Sequence, residues 1–362
     1  MFSECQDILH PERSNTYTST KLGATFHKRK KYVTHYTNLI LYLKLGMELT
    51  KVRKVLAFTQ STFFKSYIDH CTLLRQQSNT EFGKRLWKLF ANAVFGKFIE
   101  QTRNYIDCKI CVDETPCRKW ISNPRFNDLK IISDDLVLLF MKRTTVTLNK
   151  PLAIGFTILE KSKHFMYQQY YEVIKPSLGN CEVLMSDTDS FVLAIETKGK
   201  KNNLRKIKHI IDFSNYPSDS KYYNDDNKNE LGFWKDELQG KTIREFCGLR
   251  SKTYAFLIND KDNKVILQSK CKGITKSYRK KIEFSSYKKC VKSFDKVCVT
   301  QFQIRSKNHA VVTAKVRKLA FSSFDDKRFL LSCGVHSLGY GSCLIEKNMK
   351  TCSRCKKCNP LQ

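Results

Sequence analysis

Cys181-Glu182-Val183-Leu184-Met185-Ser186-Asp187-Thr188-Asp189-Ser190-Phe191-Val192-Leu193-Ala194-Ile195 is the stretch whose reading decides the fold. Two short apolar runs, 181–185 and 191–195, flank a polar tip from Ser186 to Ser190, which predicts a β-hairpin. On an extended chain, side chains at i and i+2 point the same way, so Asp187 and Asp189 are expected side by side at that tip. Like charges so close repel, and a divalent cation between them removes the conflict. The plain alternative is an ordinary Asp/Ser/Thr turn.

Outward from the hairpin, the pattern mixes helices and strands. Residues 152–174 read as one long helix, with Pro151 at its start and Pro176 just past its end. Residues 105–148 alternate like strands, broken at Asn123-Pro124. Within them Cys108 falls on the apolar side and reads as a small core residue. Residues 81–95 form the clearest helix. A shorter helix is expected from Thr37 to about Gly46, then a strand through Val52, Val55 and Phe58. After the hairpin come a polar loop (214–230), a strand pair at about 241–258, and a Lys-rich mixed stretch (270–320). The first 31 residues are polar and aperiodic. Helices interspersed with mostly antiparallel hairpins give an α+β class.

The chain of 362 residues is long enough for two or three domains, and 41% apolar content argues against global disorder. Its 65 Lys plus Arg against 34 Asp plus Glu leave a net charge of +31. Such a surplus resists compaction unless a polyanion neutralises it, so nucleic acid is the first partner to consider. A basic protein needing only solubility is the bland reading, and an anionic membrane surface lacks a basic amphipathic anchor helix. No stretch approaches the ~20 apolar residues of a membrane span, and Met1 to His10 has no signal-peptide layout. An intracellular protein is expected, with its 15 cysteines reduced.

Two further motifs carry chemistry. On helix 81–95, Lys84, Lys88, Asn92 and Phe95 fall on one face, while Phe82, Leu86, Leu89, Phe90 and Ala93 take the opposite, buried one. Cations, an amide and a ring suit a nucleotide, and Gly96 lets backbone or substrate come close. A solvated basic face is the simpler account. Lys252-Thr253-Tyr254 places a Lys and a Tyr on one strand face that could hold a nucleic-acid backbone, although the tripeptide alone is unspecific.

Taken in order, Lys88-x3-Asn92-x2-Phe95-Gly96, Asp187-Thr188-Asp189-Ser190 and Lys252-x-Tyr254 resemble the motif series of family B DNA polymerases. That family has Lys-x3-Asn-Ser-x-Tyr-Gly on a fingers helix, Tyr-Gly-Asp-Thr-Asp-Ser in the palm and a later Lys-x-Tyr. Val33-Thr34-His35-Tyr36, Phe246-Cys247-Gly248-Leu249-Arg250 and Phe324-Asp325-Asp326-Lys327-Arg328 are similar to the protein-primed branch, the organellar and viral type also carried by Polinton (Maverick) transposable elements. The resemblance covers roughly residues 20–340. It implies a right-hand arrangement: a lead segment (1–50), a fingers-like module (51–104), an insertion (105–150) where such enzymes carry an element linked to strand displacement, a palm (151–260) and a basic thumb (261–345). It implies DNA-directed DNA polymerase activity on a DNA primer-template with deoxynucleoside triphosphates, two Mg²⁺ or Mn²⁺ ions and a terminal priming protein. Lys88 would contact the triphosphate. Asn92, Phe95 and Gly96 would line the nascent base pair. Asp189 would bind both metals with Asp187 assisting, and Lys252 and Tyr254 would hold the primer end.

The departures are specific. Ala93 stands for Ser, Phe95 for Tyr, and Met185-Ser186 for Tyr-Gly. The upstream motif Asp-x2-Ser-Leu-Tyr-Pro-Ser, whose Asp bridges both metals, is missing, and so is an exonuclease domain. The chain is therefore expected to be a fragment, inactive alone unless Asp134 or Asp236 fills the gap. A non-catalytic nucleic-acid-binding remnant is the rival reading. The basic tail (346–362) carries Cys352-x2-Cys355-x2-Cys358, a spacing that suits Zn²⁺ or an iron–sulfur cluster, with Cys343 as a fourth ligand.

Overall fold

Thr80 accepts a hydrogen bond from the Gly83 amide through its hydroxyl at 3.1 Å, with Glu81 in the first turn behind it. This cap starts the longest helix of a mixed α+β protein. The computed structural model describes residues 24–196, 203–228, 230–250, 252–259, 264–307, 310–323, 328–331, 337–342 and 345. They divide into two compact units. The first runs from Val33 to Glu172; the second combines the residues before Val33 with those after Glu172. The division at 172/173 thus falls inside the expected palm and sets no boundary near 104 or 150.

In the first unit, α1 (Tyr36–Lys44), α2 (Lys65–Gln77) and α3 (Glu81–Phe98) are followed by β1 (Asp107–Cys111), α4 (Glu114–Ile121), β2 (Phe126–Ser133), β3 (Leu136–Met141) and α5 (Leu152–Gln168). The three strands form an antiparallel sheet, order β1-β3-β2, whose buried stripe is Leu139, Phe140 and Met141. α5 packs on α1 and α3. At Gly155 an added Cβ would stand 2.3 Å from Ile99 Cγ2, so only glycine lets α5 come this close to the end of α3.

Glu160 on α5 is buried and fastens the start of α1. Its Oε2 accepts from the Thr34 hydroxyl at 3.0 Å, the His35 amide at 3.1 Å and the Asn38 side-chain amide at 2.9 Å, and Lys163 pairs with Oε1. Burial alone would push this carboxyl up. Lys163, Asn38, His35 and Thr34 outweigh burial and hold it at about 2. Thr34 and His35 therefore serve this anchor.

Several local expectations change. No strand forms through Val52, Val55 and Phe58, which stay exposed. α4 interrupts the expected strands of 105–148. Cys108 is only half-buried, and Cys111 takes the core position. The outward face of α3 is also redrawn: Phe82, Leu89 and Phe90 are exposed rather than buried, while Leu86, Trp87, Val94 and Phe98 turn inward. The long helix does not end before Pro176. α5 passes through a π-helical turn (Gln169–Ile174) into α6 (Lys175–Leu178), whose first turn holds Pro176.

In the second unit, β4 (Cys181–Ser186) and β5 (Phe191–Ile195) form the expected hairpin. A 3₁₀ segment (Asn203–Ile210), short β6 (Ile211–Asp212) and β7 (Trp234–Lys235) follow. The core is a meander of β8 (Ile243–Arg250), β9 (Thr253–Asn259) and β10 (Val265–Cys271). Its inner face, with Cys247, Leu249, Ala255 and Cys271, packs on Phe284, Tyr287 and Cys290 of α8 (Phe284–Ser293), which follows the short α7 (Lys276–Arg279). Tyr287 stacks on Phe321 at 4.3 Å. β11 (Val297–Lys307) and β12 (Ala310–Phe321) form a long ribbon. Buried Gln301 ties it to the core, accepting from the Thr275 amide at 2.9 Å and donating to the Gly273 carbonyl at 2.7 Å. Short β13 (Phe329–Leu330) and β14 (Ser337–Leu338) precede Tyr340, which bonds Ala24 and Phe26. The stretches 1–23, 324–327 and 346–362, with the tail cysteines, lie outside the described residues.

Candidate functional site

The tip between β4 and β5 is not extended. The Asp189 amide donates to the Asp187 carbonyl at 2.7 Å, and Thr188 sits between them at φ +61°. This is a γ-turn with a positive φ on a β-branched residue, a conformation that needs support from its surroundings. Support comes from Ser190, whose hydroxyl donates to the Asp187 carbonyl at 3.2 Å, while the Asp187 amide donates to the Ser190 carbonyl at 3.1 Å. The premise that Asp187 and Asp189 share a face because the chain is extended therefore fails. Their backbones are instead joined by this tight turn. Ser190 acts here as the lock of that turn.

Asp187 is half-buried and Asp189 exposed. Lys252 places its Nζ 3.1 Å from Asp187 Oδ1. The two motifs, 65 residues apart in the chain, thus meet side chain to side chain. Lys252, at φ +60°, reaches there from the position just before β9. Tyr254 follows on β9, with the rings of Phe246 and Phe256 at 6.1 Å and 6.2 Å from its own. Burial first and the Asp187 charge second push its hydroxyl pKa up, with Arg279 opposing them. Arg279, at the end of α7, is thereby a further cation of this neighbourhood; no motif in the sequence marks it.

Among the described residues no group of three metal-binding side chains occurs. Asp236 is committed elsewhere: its carboxylate accepts from the Tyr216 hydroxyl and from the Leu238 and Gly240 amides. Asp134 lies in the other unit, at the turn between β2 and β3.

The nucleotide candidates sit on α3 in the first unit. Lys88 and Asn92 are exposed, and Lys88 has no ion-pair partner among the described residues, whereas Lys84 lies 3.8 Å from Glu81. Phe95 and Gly96 are half-buried. Nothing in the structure stands within 4 Å of where a Cβ on Gly96 would be. A glycine inside a helix costs about 1 kcal/mol relative to alanine, and here no internal packing explains it.

Comparison of the chain with protein-family models, curated proteins and solved structures finds no match. No helix among the described residues is long and apolar enough to cross a membrane.

Proposed function

We propose that the chain is the fingers, palm and thumb portion of a protein-primed family B DNA polymerase, whose bridging metal-binding Asp lies outside these 362 residues. The observation that carries this reading is the ion pair between Asp187 and Lys252. The motif that the resemblance assigns to the metals and the one it assigns to the primer end stand in contact, although nothing in their spacing requires it. Unpaired Lys88 and uncrowded Gly96 support the nucleotide half of the reading.

On this reading Lys252 neutralises Asp187 until substrate arrives, then turns to the primer backbone. Tyr254, beside the Phe246 and Phe256 rings, positions that strand. Lys88 takes the triphosphate, and Phe95 packs on the nascent pair. Carboxylate oxygens of Asp187 and Asp189 suit one Mg²⁺, with water and substrate phosphate completing its shell. A bridged pair of ions is one carboxylate short. When bound, such ions stabilise the attacking and leaving oxygens of nucleotidyl transfer.

The test is primer extension. The 362-residue chain alone is expected at background, because a lost charged ligand costs roughly a thousandfold in rate. A longer polypeptide carrying the missing Asp segment should extend, and Asp189→Asn in it should not. Lys88→Ala should weaken deoxynucleotide binding more than Lys84→Ala does. Robust extension by the bare chain would sink the missing-ligand account. A folded longer polypeptide that still fails would instead favour a non-catalytic nucleic-acid-binding remnant.

A further inference from the structure

Below the sheet of the first unit lies a shallow cleft of about 470 Å³, lined by Ile106, Asp107, Cys108, Arg125, Arg143, Thr144 and Thr145. Two guanidinium groups border it, and each is held from behind. Arg125 donates through Nη2 to Asp107 Oδ2 at 2.8 Å and through Nε to the Lys142 carbonyl at 3.0 Å. Arg143 donates through Nη1 to the Thr102 carbonyl at 3.3 Å and lies 5.6 Å from the centre of the Tyr105 ring. Tyr105 is itself tied to Glu100, which Lys97 and Lys150 also bind.

The charges do not balance. Asp107 is shared between Arg125 and Lys109, which stands 3.2 Å away. Arg143 has no carboxylate partner among the described residues, and the Thr144 and Thr145 hydroxyls beside it have no hydrogen-bond partner there. Preplaced guanidinium donors with spare N–H groups, next to free hydroxyls in a concave surface, match the geometry of a phosphate oxyanion.

We infer that this cleft binds a backbone phosphate of a nucleic-acid strand, separately from the carboxylate hairpin. The inference rests on the cleft and on the net charge of +31, not on the polymerase reading. A free nucleotide triphosphate offers the same oxyanion, so the test has two arms. The 362-residue chain is titrated with a fluorescent single-stranded oligonucleotide at several salt concentrations, and separately with a deoxynucleoside triphosphate. Arg143→Gln should weaken oligonucleotide binding by roughly five- to tenfold at low salt and lower the salt slope by about 1, the signature of one lost phosphate contact. Arg143→Lys keeps the charge and should restore the slope while recovering only part of the affinity. A Thr144→Val/Thr145→Val double variant should lose affinity with the slope unchanged. Oligonucleotide affinity and slope unmoved by Arg143→Gln overturn the proposal. Loss confined to the triphosphate arm overturns the strand and assigns the cleft to free nucleotide. Primer extension is not part of this readout, so failure here leaves the polymerase reading standing.

Discussion

Tyr287 and Glu160 are both nearly sealed from solvent, yet the units around them are fastened by different forces. In the second unit, Tyr287 stacks on Phe321 within a cluster of Cys247, Cys271, Ala255 and Ile282. Burial pushes the Tyr287 hydroxyl up to about 12 and the Cys247 thiol up to about 11, so neither carries charge near neutral pH. In the first unit, a carboxylate is buried among donors and remains ionised. An apolar cluster gains from every methylene it hides and is indifferent to pH. A buried carboxylate contributes only while its donors are in place and its charge is present. The difference teaches that acid acts directly on the Glu160 anchor, whereas the Tyr287 cluster has no charge to lose.

Tryptophans make the comparison measurable, since Trp87 and Trp120 lie in the first unit and Trp234 in the second. The largest effect is expected from Tyr287→Ala, which should destabilise the second unit by about 3–5 kcal/mol. In urea unfolding, a variant keeping only Trp234 should report this loss, while one keeping only Trp87 and Trp120 should not. Equal shifts in both would show a single cooperative transition and break the comparison.

Glu160→Gln should cost the first unit about 2–3 kcal/mol at neutral pH. Its folded value of about 2 lies below the ordinary 4.5. The stabilisation is therefore complete above about pH 4.5 and is lost as pH falls through about 2. Unfolding midpoints of the first unit across that window should fall for the native protein and fall less steeply for the Gln variant, in which Glu100 and Asp107 still titrate below the ordinary carboxylate range. Parallel curves would mean that another acid governs the slope.

Gly155→Ala should cost about 1 kcal/mol, because steric conflict with Ile99 exceeds the gain in helix propensity. Repeating it in an Ile99→Ala background should cancel the cost; persistence would place the clash elsewhere. The smallest effect has the opposite sign. Gly96→Ala has room and should stabilise the first unit by about 0.5–1 kcal/mol, measured by thermal unfolding. If it also weakens deoxynucleotide binding, the open space beside Gly96 belongs to a ligand.

Much of this was legible in the sequence. The 181–195 hairpin, α3 and the β8–β9 pair follow from alternation, capping and length, because those signals are local. The missing strand at 52–58 shows the limit: alternation specifies a face, but a strand also needs a partner, and none lies beside it. α4 was hidden in alternating residues although Asp113, Glu114 and Pro116 supply helix-start chemistry. The face of α3 was misread because the expectation weighed Phe82, Leu89 and Phe90 as core, whereas α3 turns Trp87, Val94 and Phe98 toward its neighbours. At the candidate site, residue types were readable and their meeting was not. That Lys252 reaches Asp187 depends on two turns with positive φ, which no periodicity announces.

Gln301 leaves a signature in time. The amide anchors the β11–β12 ribbon near its base, whereas Phe302, Ile304 and Val311 are exposed. A two-stranded ladder without a packed face is marginal in water. Its amide protons should therefore exchange with solvent in a gradient, slowest around Gln301 and Phe321 and progressively faster beyond Ile304. Gln301→Ala should erase that gradient by letting the slow end open as readily as the fast one.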